Sequence, residues 1–221
     1  MKKKKFVSLV MVCLMAVACI GPLTPAAASA SAQDGSPAVQ PEFLISDTEY
    51  QALSMLGVNL GIASAVNSAA NSETELLATW VQVSFFDLET GTAMRPEQVI
   101  SASDAERTKV AVLVYETSAS RYLLTNYILW SVNVVASQSD CKIESMDVDL
   151  TYTDSSLLPQ WSESFTAQAY IPNNMFQFNN KSKYAFPDNS EICVGWSYEV
   201  SLENYTNHSG VQTGSEWVDI P

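Results

Sequence analysis

Three carboxylates stand where strictly alternating sequence carries side chains to one face of a sheet. In "IESMDVDLTYT" (143–153), Asp147 and Asp149 share a side with Ser145 and Thr151, while Met146, Val148, Leu150 and Tyr152 take the other. In "ICVGWSYEVSLEN" (192–204), Glu199 alternates in the same way against Val194, Trp196, Tyr198, Val200 and Leu202. Aspartates two positions apart on a strand lie about 7 Å apart. That falls inside the ~5–9.5 Å separation with which paired carboxylates hydrolyse glycosidic bonds. Polysaccharide hydrolysis by Asp147, Asp149 or Glu199 is therefore one chemistry to weigh. The plainer reading is that alternating acids solvate an outward strand face or guard an edge, and no glycosidase motif accompanies them.

A second group of residues suits recognition rather than catalysis. The stretch "NNMFQFNNKSKYAFPDN" (173–189) reads as a β-hairpin with its turn at Asn179–Lys183, which sets Phe178 opposite Tyr184 and Phe176 opposite Phe186. Four rings then share one face, and Lys181 and Lys183 sit at the tip. A lone hairpin needs packing to be stable, so the rings are expected mainly in the core with the tip exposed. Trp161, beside a proline in "LPQWSE", is the better candidate for a partly exposed aromatic. Together Trp161, Phe176, Phe178, Lys181, Lys183 and Tyr184 form the candidate ligand-binding set, suited to sugar rings or a protein partner.

Other chemistries lack their residues. The chain has one histidine, His208, in "NYTNHSG". Its neighbour Ser209 does not make a triad, no Gly-x-Ser-x-Gly elbow is present, and the stretch has the composition of a surface turn. No His-Glu-x-x-His, Cys-x-x-Cys or phosphate-cradling glycine loop occurs. The nearest approach to a calcium loop, "DLETG" (87–91), reads as a turn between strands. No metal and no cofactor are expected.

The segment that delivers the chain shapes the rest. Lys2–Lys5 precede an apolar run, Phe6–Ile20, too short to span a bilayer, and "PAAASASAQ" offers small residues for a signal peptidase after Ala30 or Ala32. Residues 1–32 are expected to be a cleavable secretory signal of bacterial type, which makes the protein extracellular. The alternative is a lipid on Cys19, at the end of "AVAC", anchoring it to the cell surface. Cleavage takes four lysines, so eleven basic residues fall to seven against 24 acids, a formal charge of −17. Such a chain repels nucleic acid and anionic membranes. Cys141 and Cys193 then remain in an oxidising compartment and are expected to pair as a disulfide.

The elements that must position these groups follow from period. Residues 33–45 read as an exposed leader. Ser46 and Glu49 have the spacing of a capping box, which starts a helix near Asp47 and predicts one over 46–72. Gly57, Gly61, Ala65 and Ala69 give it a small-residue ridge that suits close packing on a sheet; the uncharged stretch 50–72 also admits a membrane-active reading. Beyond Glu75 the period is two. Strands are expected at 76–88, 109–116, 122–136 (one bent or two), 143–153, 165–171, 192–204 and 211–220, with no second helical block. Residues 73–221 thus predict an all-β, antiparallel two-sheet β-sandwich with the one N-terminal helix packed on it. The expected function is that of a secreted, non-enzymatic binding module for a protein or envelope glycan. Polysaccharide hydrolysis and membrane activity are the alternatives.

Overall fold

Valine, isoleucine, tyrosine and tryptophan recurring at every second position give long pleated strands, because branched and aromatic side chains pack well on a half-buried sheet. The computed structural model describes residues 39–60, 73–139, 141–154, 161–203 and 210–221. The signal segment with Cys13 and Cys19, residues 33–38 of the leader, residues 61–72 of the expected helix, and His208 lie outside them. In chain order the described elements are β1 (Glu42–Phe43), α1 (Asp47–Met55), β2 (Thr74–Asp87), β3 (Thr92–Met94), α2 (Pro96–Ser101), α3 (Asp104–Arg107), β4 (Val110–Tyr122) and β5 (Tyr127–Ala136). Then follow β6 (Ile143–Asp154), β7 (Trp161–Asn173), β8 (Met175–Ala185), β9 (Ser190–Leu202) and β10 (Gly210–Ile220).

The chain is mostly β, in two sheets with few helices. Among the described residues, one sheet has six strands in the order β1-β2-β4-β5-β8, with β3 also beside β2, and the other has four in the order β10-β9-β6-β7. Every pairing is antiparallel except β1 with β2. The alternation read from the sequence holds on β6 and β9: Met146, Val148, Leu150, Tyr152, Val194, Trp196, Tyr198, Val200 and Leu202 are buried.

Their partners in the core come from the facing sheet. Trp80 of β2 and Trp130 of β5 lie opposite Thr117 and Ala119 of β4, so small residues on the middle strand leave room for an indole on either side. Trp196 of β9 closes on both, with the three ring centroids 5.3–5.7 Å apart. Polar atoms inside this cluster are matched across the sheets. The Trp130 indole N–H donates to the Tyr198 hydroxyl at 2.9 Å, and the Trp196 N–H to Gln82 Oε1 at 2.8 Å. Gln82 in turn donates to the Thr213 carbonyl at 3.0 Å. Gly214 is required here, since a Cβ at that position would stand 2.4 Å from the Trp196 ring.

The outer face of the six-stranded sheet is partly covered by α1 and α2, whose Ala52, Leu53 and Val99 pack on Val83, Phe85, Val110 and Val112. The capping box forms at Ser46 and Glu49, as the spacing predicts. The described helix ends at Met55, and Gly57 follows in a left-handed turn (φ 67°). Helices α2 and α3 were not expected. Each is too short for a 3.6-residue period to show, and α3 is fixed by Arg107, which donates to the carbonyls of Val99 and Ile100. Residues 42–43 of the leader are drawn in as β1, with Leu44 N–H bonded to the Val81 carbonyl at 2.9 Å.

Two expectations fail. Cys141 and Cys193 both stand near strand starts, but β6 and β9 run antiparallel, with Ile143 opposite Leu202 and Cys193 opposite Thr153. The two cysteines are therefore at opposite ends of the sheet, separated by about 40 Å at ~3.3 Å per residue, where a disulfide needs Cα atoms within ~7 Å. The hairpin of residues 173–189 is also absent. Met175–Ala185 is one strand that pairs with β5 from Met175–Val135 to Ala185–Tyr127. Its Asn and Lys residues mark an edge strand rather than a turn, and such side chains discourage further pairing.

Reductant is expected to leave the denaturation midpoint unchanged, against the roughly 4 kcal/mol that a cystine closing such a loop contributes; a lowered midpoint would show that the sulfurs pair. Replacing Gly214 with alanine is expected to lose ~1–3 kcal/mol in urea denaturation, because the buried Trp196 ring has nowhere to move.

Candidate functional site

β8 carries a bulge that builds an aromatic cluster at one end of the sheets. Lys181 pairs with Leu129 and Ala185 with Tyr127, so Ser182, Lys183 and Tyr184 stand against Ile128 alone. The Ser182 hydroxyl makes good the interrupted ladder. It accepts from Ile128 N–H at 2.9 Å and donates to the Tyr184 carbonyl at 2.8 Å. Tyr184 is thereby turned outward, 49% exposed.

Across the gap, β7 is the edge strand of the four-stranded sheet, and Glu163 is one of its inward residues. Its carboxylate accepts from Lys183 N–H at 2.8 Å and from Asn180 Nδ2 at 3.2 Å, clasping the two edge strands together. Two residues earlier, Trp161 stacks on both Tyr152 (ring centroids 5.4 Å) and Phe186 (5.0 Å), which also touch each other at 5.8 Å, with Tyr184 edge-on at 5.5 Å. Lys183 Nζ lies over the Tyr184 ring at 5.3 Å. Lys181 Nζ lies over Tyr127 at 4.0 Å and Tyr122 at 5.0 Å.

Two polar atoms in this cluster have no hydrogen-bond partner among the described residues: the Tyr152 hydroxyl and the Trp161 indole N–H, both buried. Buried donors are seldom left unmatched, since each forfeits ~1–3 kcal/mol. Burial, and after it the Glu163 charge, holds the Tyr152 phenol well above its ordinary range, so it stays a neutral donor. The cluster thus offers a partly exposed aromatic surface at Tyr184 with the Lys183 ammonium against it.

The candidate residues divide. Trp161, Lys181, Lys183 and Tyr184 meet at this end of the molecule, whereas Phe176 and Phe178 point into the core opposite Val134 and Val132. Tyr152, Phe186, Glu163, Tyr122 and Tyr127 join the site through pairing across strands, which periodicity within one strand does not reveal. The acids do share a face. Asp147 is directly opposite Glu199, and Asp149 opposite Ser197. All three are exposed, on the outward side of the four-stranded sheet, and their register neighbours are Thr166, Ser164 and Val211 rather than tryptophan or tyrosine. Cys193 lies on the same face, its thiol pushed up by burial and then by Glu216, which makes it a poor nucleophile.

No protein-family model, characterised protein or solved structure is significantly similar to this chain. Among the described residues there is no group of three metal-ligating side chains, and no helix long and apolar enough to cross a membrane.

The two buried tyrosines provide a test. Tyr198→Phe strands the Trp130 N–H and is expected to lose ~1–3 kcal/mol. Tyr152→Phe removes a hydroxyl with no partner among the described residues and is expected to leave stability equal or higher. A loss above ~1 kcal/mol on Tyr152→Phe in urea denaturation would mean that the hydroxyl has a partner.

Proposed function

We propose that the protein is an exported, non-enzymatic β-sandwich module that binds a glycan of the cell envelope at its aromatic end. The half-exposed Tyr184 ring, edge-on to Trp161 and with the Lys183 ammonium over it, carries this reading. The C–H face of a sugar ring lies well against an aromatic face, and its hydroxyl oxygens accept from a neighbouring ammonium group. A glycan uses both features at once. Lys181 and Lys183 form a small basic rim on an otherwise acidic chain, so a polysaccharide bearing carboxylate or phosphate groups suits the site better than a neutral one.

Export rests on the lysine-led apolar segment at the start of the sequence, with release after Ala30 or Ala32 as the first form and a lipid on Cys19 as the second. The hydrolase reading has less support. Its acids stand exposed among hydroxyl side chains, and like charges directly across a strand pair repel rather than share a task.

Binding is checked by affinity electrophoresis of the mature chain through gels containing acidic or neutral envelope polysaccharides, with Tyr184→Ala and Trp161→Phe alongside. Retention by the acidic polymer is expected, weakened tenfold or more by Tyr184→Ala and several-fold by Trp161→Phe, which narrows the ring that supports Tyr184. Equal retention of the variants would sink the site, and capture of an envelope protein but no polysaccharide would replace a glycan with a protein. Release of reducing ends that disappears in Asp149→Asn would restore hydrolysis.

A further inference from the structure

The outer face of the six-stranded sheet is not evenly covered. From Val110 along β4, the residues on that side are Val110, Val112, Val114 and then Glu116. The first two are buried under the helices. Val114 and Glu116 floor a cleft of about 160 Å³, together with Val81, Val135 and Asn133. Phe43 of β1 and the Val58–Leu60 segment beyond the Gly57 turn form its walls. Glu116 lies between Val81 on one neighbouring strand and Asn133 on the other.

A fourth valine at 116 would continue the row at no electrostatic cost. The sequence instead places a carboxylate at the bottom of an apolar cleft, half-buried, with no hydrogen bond or ion pair among the described residues. Burial alone raises its pKa, which measures how poorly the charge is solvated there. Among the described residues, Glu116 is the one titratable group lining the cleft. A buried charge without a counterion is unfavourable unless something supplies one.

We propose that this cleft is a second ligand site, independent of the aromatic end, which takes a small organic cation: a primary ammonium on an aliphatic or aromatic body. The ammonium pairs with the Glu116 carboxylate and the Asn133 side-chain oxygen, and the body lies on Val81, Val114 and Val135 against Phe43. The volume admits about eight non-hydrogen atoms at interior packing density. Charge complementarity selects the cation over an anion of the same shape, and the apolar walls select it over a bare ammonium ion.

The test is calorimetric titration of the mature chain with n-hexylammonium, n-hexanol and n-hexanoate, each of which fits the volume. Hexylammonium is expected to bind at a single site, hexanol at least tenfold more weakly, and hexanoate not at all. Glu116→Gln keeps the shape of the side chain and is expected to lower hexylammonium affinity tenfold or more while leaving hexanol unchanged. The folded state of that variant is checked by its melting temperature, which is expected to exceed that of the parent at pH 7. A carboxyl group whose pKa is raised on folding loses stability as pH climbs through that raised value, so the difference should shrink towards zero below about pH 4. Methyl shifts in NMR spectra, confined to Val81, Val114 and Val135, locate the ligand. Equal binding of hexylammonium by Glu116→Gln, comparable binding of hexanoate, or shifts confined to other methyl groups would each overturn the proposal.

Discussion

The contact between Trp80, Trp130 and Trp196 is the interaction on which both sheets depend. Each indole removes on the order of 200 Å² from water, an upper-bound gain near 5 kcal/mol at the usual area coefficient. Burying an indole also buries its N–H. Here that obligation sets the relative position of the sheets, because the acceptors for Trp130 and Trp196 lie on the opposite layer, at Tyr198 and Gln82. Sliding one sheet over the other by a single residue would break both bonds. Apolar area alone tolerates such sliding. The hydrogen bonds inside the aromatic cluster do not.

This explains how the layers hold together without the cystine expected from the sequence. A covalent staple constrains the unfolded chain, whereas the tryptophan cluster acts only once the sheets have met. The mistaken pairing shows what alternation conveys and what it leaves open. The faces of β6 and β9 were legible residue by residue, since a period of two leaves no choice once one face is apolar. Their mutual direction was not, because a strand read alone looks the same beside a parallel or an antiparallel neighbour. Cys141 and Cys193 both near strand starts meant proximity in one case and opposite ends of a sheet in the other.

The edge strands were misjudged for a related reason. Asn179, Asn180, Lys181 and Lys183 have turn-like composition, and turns and sheet edges favour some of the same residues, since both face water without pairing partners. What the sequence does record is the bulge, though only in retrospect: Ser182 is buried between two exposed lysines, and its hydroxyl occupies the place of a ladder partner. Trp161 is partly buried, and the partners that make it a site, Tyr152 and Phe186, come from other parts of the chain and depend on register.

One signal was available and points to both sites. In "WSESFTAQA", the inward positions of β7 read Trp161, Glu163, Phe165 and Ala167; in "VAVLVYE", the outward positions of β4 read Val110, Val112, Val114 and Glu116. Each run places one carboxylate on a side otherwise reserved for apolar residues. Folding answers the first internally, as Glu163 receives a backbone N–H and an amide from the facing edge strand. It offers the second nothing among the described residues. A charge that breaks the apolar period and finds its partners inside the fold is a structural clasp. One that breaks the period and finds none retains the capacity to attract a counterion from outside, and that difference, invisible in either run of sequence, separates Glu163 from Glu116.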